Sequence, residues 1–80
     1  MKSTGVFVER IDTESFECED DEGVQYVVQT YYLITTHRGW DTSKTKRGPF
    51  FDLRGGTKVN QINSETFEIV DSDKRIRKIV

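Results

Sequence analysis

The longest uninterrupted strand pattern in the chain covers residues 24–37. Its side chains are mostly β-branched, aromatic or amide, and it contains no glycine, proline or charge before His37. Apolar residues occupy both alternating sets, with Val28 and Tyr32 in one and Val27 and Tyr31 in the other. A flat strand of this length would span about 45 Å, too long for so small a domain. We therefore predict one long strand that bends at a bulge or a sharp coil near residues 29–30.

Shorter strand patterns lie on either side of this stretch, separated by turn-forming residues. The predicted strands cover residues 5–11, 16–18, 50–54, 57–62, 66–70 and 75–80. Turns are expected at residues 12–15, 19–23, 55–56, 63–65 and 71–74. The favoured pairings place Ile11 opposite Phe16, Leu53 opposite Val59 and Ile69 opposite Ile76. Residues 38–49 are irregular and basic, and they are predicted to form an exposed loop.

These patterns predict an all-β fold, a single small domain over residues 1–80. Six or seven short antiparallel strands form a meander or a small SH3-like or OB-like barrel, with the long bent strand at residues 24–37. The expected core consists of Phe7, Ile11, Phe16, Tyr26, Val28, Tyr32, Ile34, Phe51, Leu53, Val59, Phe67, Ile69 and Ile76.

Composition strengthens the all-β prediction. The chain has no alanine and two leucines, against eight valines, six isoleucines and nine threonines, which is the reverse of a helical composition. The single cysteine, Cys18, has no intramolecular partner, and no apolar run is long enough to cross a bilayer. The N-terminus also lacks the pattern of a secretory signal. A cytoplasmic location is therefore expected.

Charge is divided unevenly along the chain, although the net charge is only −2. Residues 1–30 carry eight acids and two bases, whereas residues 31–80 carry six acids and ten bases. Whether this division persists in space depends on how the two halves interleave in the sheet.

The strongest candidate binding site is the basic and aromatic segment at residues 37–47. Its candidate residues are His37, Arg38, Trp40, Lys44, Lys46 and Arg47. Basic side chains neutralise phosphates, and an indole or imidazole ring offers a stacking surface for a base. The alternative is a solvated loop whose lysines confer solubility, and the acidic character of the whole chain favours that alternative.

The sequence gives little support for catalysis or metal binding. The acids at residues 19–22 lack the spacing of a calcium loop, so a solvated turn is expected, with a negative docking surface as an alternative. Cys18 lies among carboxylates and is expected to pack in the core. Asp52, between Phe51 and Leu53, is expected to be structural, with Arg54 or Lys58 as its partner. We therefore expect no enzyme activity, no cofactor and no metal.

The terminal cations at residues 74–78 are expected to protect an edge strand against unwanted pairing. Two-faced apolar strands in a short chain leave apolar surface that is hard to cover, such as Tyr31, Trp40 and Phe50. The leading hypothesis is a non-enzymatic β interaction module whose partner is another protein or its own copy. The alternative is a small nucleic-acid-binding barrel that uses residues 37–47.

Overall fold

The computed structural model describes residues 5–39 and 41–79, and it confirms the all-β prediction. Six antiparallel strands follow one another: β1 Gly5–Glu19, β2 Gln25–Arg38, β3 Ser43–Leu53, β4 Lys58–Gln61, β5 Thr66–Ile69 and β6 Lys74–Lys78. The described ranges contain no helix of the length and apolarity needed to cross a membrane.

The strands close into a small barrel, as predicted. Each strand pairs with its neighbour in sequence, and β1 closes the barrel by pairing with β6, with Cys18 opposite Lys78. The buried core consists of Cys18, Val28, Val59, Phe67, Ile69 and Ile76, with Phe16, Tyr26, Phe51 and Leu53 packed against it. The ring of Phe67 contacts those of Phe16 and Phe51 at centroid distances of 5.2 and 5.0 Å. This cluster lies at one end of the molecule.

β1 is much longer than predicted, because residues 12–15 do not form a turn. The strand continues through them with one extra residue, and Ile11 lies opposite Tyr32 while Phe16 lies opposite Val28. The predicted pairing of Ile11 with Phe16 is therefore wrong. These residues include no glycine or proline, and a bulge accommodates their polar side chains without reversing the chain.

β2 matches the long strand predicted at residues 24–37 to within a residue at each end. The register shifts lie beside its middle, as expected, but the extra residues belong to its neighbours. One is in β1 between Asp12 and Ser15, opposite residues 29–31, and the other is in β3 opposite Tyr31 to Leu33.

β3 replaces most of the loop predicted at residues 38–49. Only residues 39–42 connect it to β2. Gly48 occupies the β3 bulge with φ of 127°, and a Cβ atom there would come within 2.9 Å of the Tyr32 ring. Glycine thus lets the strand continue through a segment whose Gly-Pro and basic residues are typical of a loop.

The two later hairpins are formed as predicted but in a different register. Val59 lies opposite Phe51, and Ile76 lies opposite Phe67. The first register follows from the short loop at residues 54–56, where the Leu53 N–H donates to the Thr57 carbonyl at 2.8 Å. Each pairing differs from the predicted one by two residues, so every side chain keeps its predicted face.

Beyond the barrel, β1, β2 and β3 continue together as a three-stranded projection, which we call the arm. The arm comprises residues 5–12, 31–38 and 43–50. It makes the molecule 58 Å long and only 22 by 17 Å across, with a radius of gyration of 16.3 Å. A compact chain of this size would have a radius of gyration of roughly 12 Å.

The arm explains the errors in the predicted core. The predicted core includes Phe7 and Ile11, but they are exposed, and it includes Tyr32 and Ile34, which are only half-buried. All four side chains lie on the face that continues the interior of the barrel. Strand parity therefore predicted their face correctly, but within the described residues no second layer of sheet covers it.

Candidate functional site

The structure places the predicted binding residues on the strands of the arm rather than in a loop. His37 and Arg38 end β2, and Lys44, Lys46 and Arg47 lie on β3. Trp40 lies outside the described residues. The five described residues are all exposed.

Register divides these residues between the two faces of the arm. Paired residues in neighbouring strands project to the same side, and the side alternates along each strand. The inner face, which continues the barrel interior, carries Phe7, Glu9, Ile11, Tyr32, Ile34, Thr36, Arg38, Lys44 and Lys46. The outer face carries Val6, Val8, Arg10, Asp12, Tyr31, Leu33, Thr35, His37, Ser43, Thr45, Arg47 and Phe50. His37 and Arg47 are thus separated from the other three candidates.

The inner face combines cations with aromatic rings. The Arg38 guanidinium carbon lies 4.7 Å from the centroid of the Phe7 ring, and the Lys46 ammonium lies 4.3 Å from that of Tyr32. Such contacts hold a cation over the electron-rich face of a ring. Glu9 is the one acid among the residues that the structure describes on this face. The inner face is therefore both apolar and positively charged.

The outer face is anchored to the barrel by Arg10. Its guanidinium donates to both carboxylate oxygens of Asp52, at 2.8 and 3.0 Å, and its Nε donates to Asp12 at 2.7 Å. The same group lies 3.8 Å from the centroid of the Tyr31 ring. Hydrogen bonds to Asp52, and then to Asp12, raise the pKa of Arg10.

This ion pair corrects the partner that we predicted for Asp52. Neither Arg54 nor Lys58 bonds to its carboxylate, and Arg10, 42 residues away in sequence, occupies both oxygens. Asp52 is only 7% exposed. A buried carboxylate held in this bidentate way joins the base of the arm to the barrel.

The outer edge of β1 is the most apolar exposed part of the arm. Val6, Phe7 and Val8 are 59%, 54% and 62% exposed, respectively. β6 pairs with β1 only at Cys18 and Glu19. In the part of the chain that the structure describes, no strand pairs with the outer side of residues 5–12.

Backbone alternation identifies which amides of this edge are open. The Arg54 N–H donates to the carbonyl of Val27, so odd-numbered residues of β2 direct their backbone groups toward β3. Even-numbered residues of β2 therefore bond to β1, and they lie opposite Phe7 and Glu9. It follows that Val6, Val8 and Arg10 direct their N–H and C=O groups away from the sheet.

The opposite edge of the arm has a different character. Along β3 the sequence from Lys44 to Pro49 includes three cations, and its proline has no backbone N–H to donate. Lysine and proline are the residues that natural sheets use to protect an edge. Among the described residues, the β1 edge is therefore the edge of the arm that offers both apolar side chains and free backbone groups.

The uneven charge of the sequence persists in space. The arm contains five basic and two acidic side chains, a net charge of +3 with His37 neutral. Since the whole chain carries −2, the residues outside the arm carry −5. The molecule is therefore basic at one end and acidic at the other.

The acidic turn before β2 differs from the solvated turn that we predicted. Asp20 is buried, and its Oδ1 accepts from the N–H groups of Glu22 and Val24 at 2.8 and 3.0 Å. Its Oδ2 accepts from the Tyr26 hydroxyl at 3.0 Å and from the Lys74 ammonium at 3.4 Å. Burial opposes ionisation, but the hydrogen bonds outweigh it and lower the pKa of Asp20. Asp20 thus organises a structural turn.

Cys18 and His37, the one cysteine and the one histidine of the sequence, lie too far apart to act as a nucleophile and its base. Cys18 lies in the barrel core opposite Tyr26, and His37 lies 11 residues further along β2, roughly 36 Å of extended strand. Burial raises the pKa of the Cys18 thiol, although Lys78 opposes this effect. No three His, Cys, Asp or Glu side chains within residues 5–39 and 41–79 are placed to hold a metal ion.

Sequence reasoning missed the β1 edge and Arg10. The signal was the absence of glycine and proline between Gly5 and Gly23, which is typical of a continuous strand. The apolar residues on both faces of β1 and β2 are a second signal, because long neighbouring strands with the same pattern pair along their whole length.

The fold and its exposed surface define this protein as a small antiparallel β-barrel with a projecting three-stranded arm. Comparison with known proteins gives no match for the chain, among family models, curated proteins or solved structures. Its function must therefore be inferred from its own geometry and charge.

Proposed function

We propose that this protein is a non-enzymatic interaction module that binds another protein, or a second copy of itself, through the β1 edge of the arm. The single observation that carries the proposal is the exposure of Val6, Phe7 and Val8 on an edge with free backbone groups. The lone, buried cysteine is consistent with work in the reducing cytoplasm.

Strand addition is the binding mode that suits this edge. An added strand would satisfy the outward amides and carbonyls of Val6 and Val8, and its side chains would cover apolar surface on both faces. The barrel end buries its own core of apolar side chains. The arm, by contrast, is a sheet that no second layer of the described residues covers on either face, so burying its apolar side chains favours association.

The proposal is tested with labelled strand peptides, one with the sequence of residues 5–12 and one with alternating threonine and valine between terminal lysines. Fluorescence anisotropy should show saturable binding of at least one peptide. Val8→Lys should weaken that binding by roughly tenfold or more, because a lysine on an edge opposes pairing.

Val24→Lys is the matched control. Val24 is 50% exposed but lies outside the arm, so the same change there should leave the affinity unaltered. If neither peptide binds, or if both variants weaken binding equally, strand addition at the β1 edge is wrong.

Binding of single-stranded nucleic acid by the inner face is the second candidate function. The observation that favours it is the grouping of Arg38, Lys44 and Lys46 on the face that also carries Phe7 and Tyr32. Cations would contact phosphates, and the rings offer stacking surfaces for bases. Arg38 and Lys46 already cover those two rings, however, which makes this candidate the weaker one.

Salt distinguishes the two functions. Affinity for a mixed-sequence oligonucleotide should fall steeply between about 50 and 200 mM salt if phosphate contacts dominate. Lys46→Glu should abolish such binding, while Lys58→Glu, on the barrel, should reduce it much less. An oligonucleotide that does not bind at low salt removes this candidate.

A further inference from the structure

We infer that the β1 edge of the arm pairs with the same edge of a second copy of this chain, antiparallel, with the two Phe7 residues facing each other across a two-fold axis. This inference rests on the proposed function and names its partner. It follows from the self-complementarity of residues 5–9.

Symmetry limits the possible registers. A two-fold axis perpendicular to the sheet keeps the inner face of one arm level with the inner face of the other. Opposed residues must lie on the same face, so the axis must pass midway between the two copies of one residue, which then lies opposite itself. Phe7, Val8 and Glu9 are the central positions of the edge.

Of these three, Phe7 gives the best pairing. It places Val6 of each copy opposite Val8 of the second copy, and these are the residues whose backbone groups point outward. A centre at Val8 sets Glu9 against Phe7 of the second copy, and a centre at Glu9 brings two carboxylates together. Only the Phe7 register pairs apolar residues on both faces without opposing like charges.

The shape of the molecule permits this arrangement. The pairing uses the part of the β1 arm segment that lies farthest from the barrel. This part is open because β6 meets β1 only at Cys18 and Glu19, at the barrel end. Antiparallel arms point in opposite directions, so the two barrels lie at opposite ends of the dimer. The product is a continuous six-stranded sheet between them.

A different contact between copies is also available, because the arm carries +3 and the rest of the chain −5. Docking of a basic arm on an acidic barrel would be head-to-tail and would weaken as salt rises. Edge pairing through valine, phenylalanine and backbone groups should depend little on salt. The salt response therefore separates the two modes.

Five residues on each side make a small interface, so we expect a dissociation constant on the order of 10 µM rather than a permanent dimer. Sedimentation equilibrium should show a monomer–dimer equilibrium whose constant changes less than about threefold between 50 and 300 mM salt. Val6→Lys combined with Val8→Lys should give a monomer, while Val24→Lys combined with Val70→Lys should dimerise normally, since both valines are exposed outside the arm.

Disulfide trapping tests the register. Opposed non-hydrogen-bonded residues lie about 4.5 Å apart between Cα atoms, within the range that a disulfide spans. Phe7→Cys should therefore form a covalent dimer with oxidised glutathione at protein concentrations near the dissociation constant. Glu9→Cys should not, because in this register Glu9 lies opposite Gly5 of the second copy. Cys18 is buried and provides no competing thiol.

The outcomes separate this inference from the proposed function. If the protein is a monomer under all conditions but its arm still binds a strand peptide, the inference of a second copy is wrong and the proposed interaction module is retained. A monomer that binds neither peptide overturns both. Trapping at Glu9→Cys but not at Phe7→Cys overturns the register, and a dimer that dissociates as salt rises identifies head-to-tail docking instead.

Discussion

The pair formed by Arg10 and Asp52 should be the most sensitive polar contact between the arm and the barrel. In Arg10→Ala, the carboxylate of Asp52 loses two hydrogen bonds of 2.8 and 3.0 Å while its side chain remains nearly buried, at 10% exposure. Charge-assisted hydrogen bonds contribute about 1.5 to 3 kcal/mol each when they are well shielded. The Arg10 side chain is 41% exposed, so solvent screening reduces this contribution.

We therefore expect Arg10→Ala to lower the free energy of unfolding by about 2 kcal/mol. Part of this loss, about 0.5 kcal/mol, reflects the guanidinium that lies over the Tyr31 ring. Asp52→Ala should cost a similar amount, and the double variant should cost less than the two single losses added together. The coupling energy between the two residues should be about 1.5 kcal/mol.

This coupling is measured by urea unfolding of the wild-type protein, the two single variants and the double variant, followed by circular dichroism. The protein concentration should lie well below the dissociation constant of the proposed dimer. Arg10→Lys should recover less than half of the loss, because an ammonium cannot form the same bidentate pair. Arg54→Ala is the control, since Arg54 is exposed and does not bond to Asp52. A coupling energy below about 0.5 kcal/mol would show that solvent screens the pair almost completely and would contradict this prediction.

Three further predictions concern the bulge, the acidic turn and the core. Gly48→Ala should lower the free energy of unfolding by about 2 kcal/mol or more, because it combines a φ of 127° with a Cβ within 2.9 Å of Tyr32. Gly5→Ala, which meets nothing within 4 Å, should change it by less than about 0.5 kcal/mol in the same urea titration. Asp20→Asn should destabilise the protein at neutral pH. Because the folded pKa of Asp20 is lowered, its contribution is present above the ordinary value of about 3.9 and is lost as pH falls through the folded pKa. The difference in melting temperature between the two proteins should therefore shrink in acid, and a constant difference would contradict this assignment. Cys18 should react with a thiol reagent at the rate of global unfolding, because it is fully buried and its pKa is raised. Rapid reaction of the native protein would instead show that the barrel opens locally.

The sequence predicted well those features that depend on local pattern. The β composition, the long β2 strand and the burial of Cys18 and Phe67 follow from side-chain preferences and strand parity. Parity also placed Phe7 on the correct face. Strand parity does not indicate whether another layer covers that face, because this depends on where the barrel closes.

The errors in strand length have a related cause. Residues 12–15 and 44–49 have turn and loop composition, yet each lies beside β2, whose long row of backbone groups needs partners on both sides. Pairing with β2 overrides local preference, and a bulge in each neighbour absorbs the mismatch. The ion pair between Arg10 and Asp52 joins β1 to β3, two strands that do not pair with each other, so no spacing in the sequence indicated it.

The difference between the two edges of the arm limits how far the sheet can extend by adding strands. A sheet that accepts partners on both sides has no natural end and extends into a fibril, as amyloid does. In this molecule the β3 edge, with its lysines, arginine and Gly48-Pro49, resists further addition. In the proposed dimer the two outermost strands of the joined sheet are both β3, so strand addition stops at two copies. Replacing Lys44, Lys46 and Pro49 with threonine and valine would remove that stop, and the arm would then be expected to polymerise.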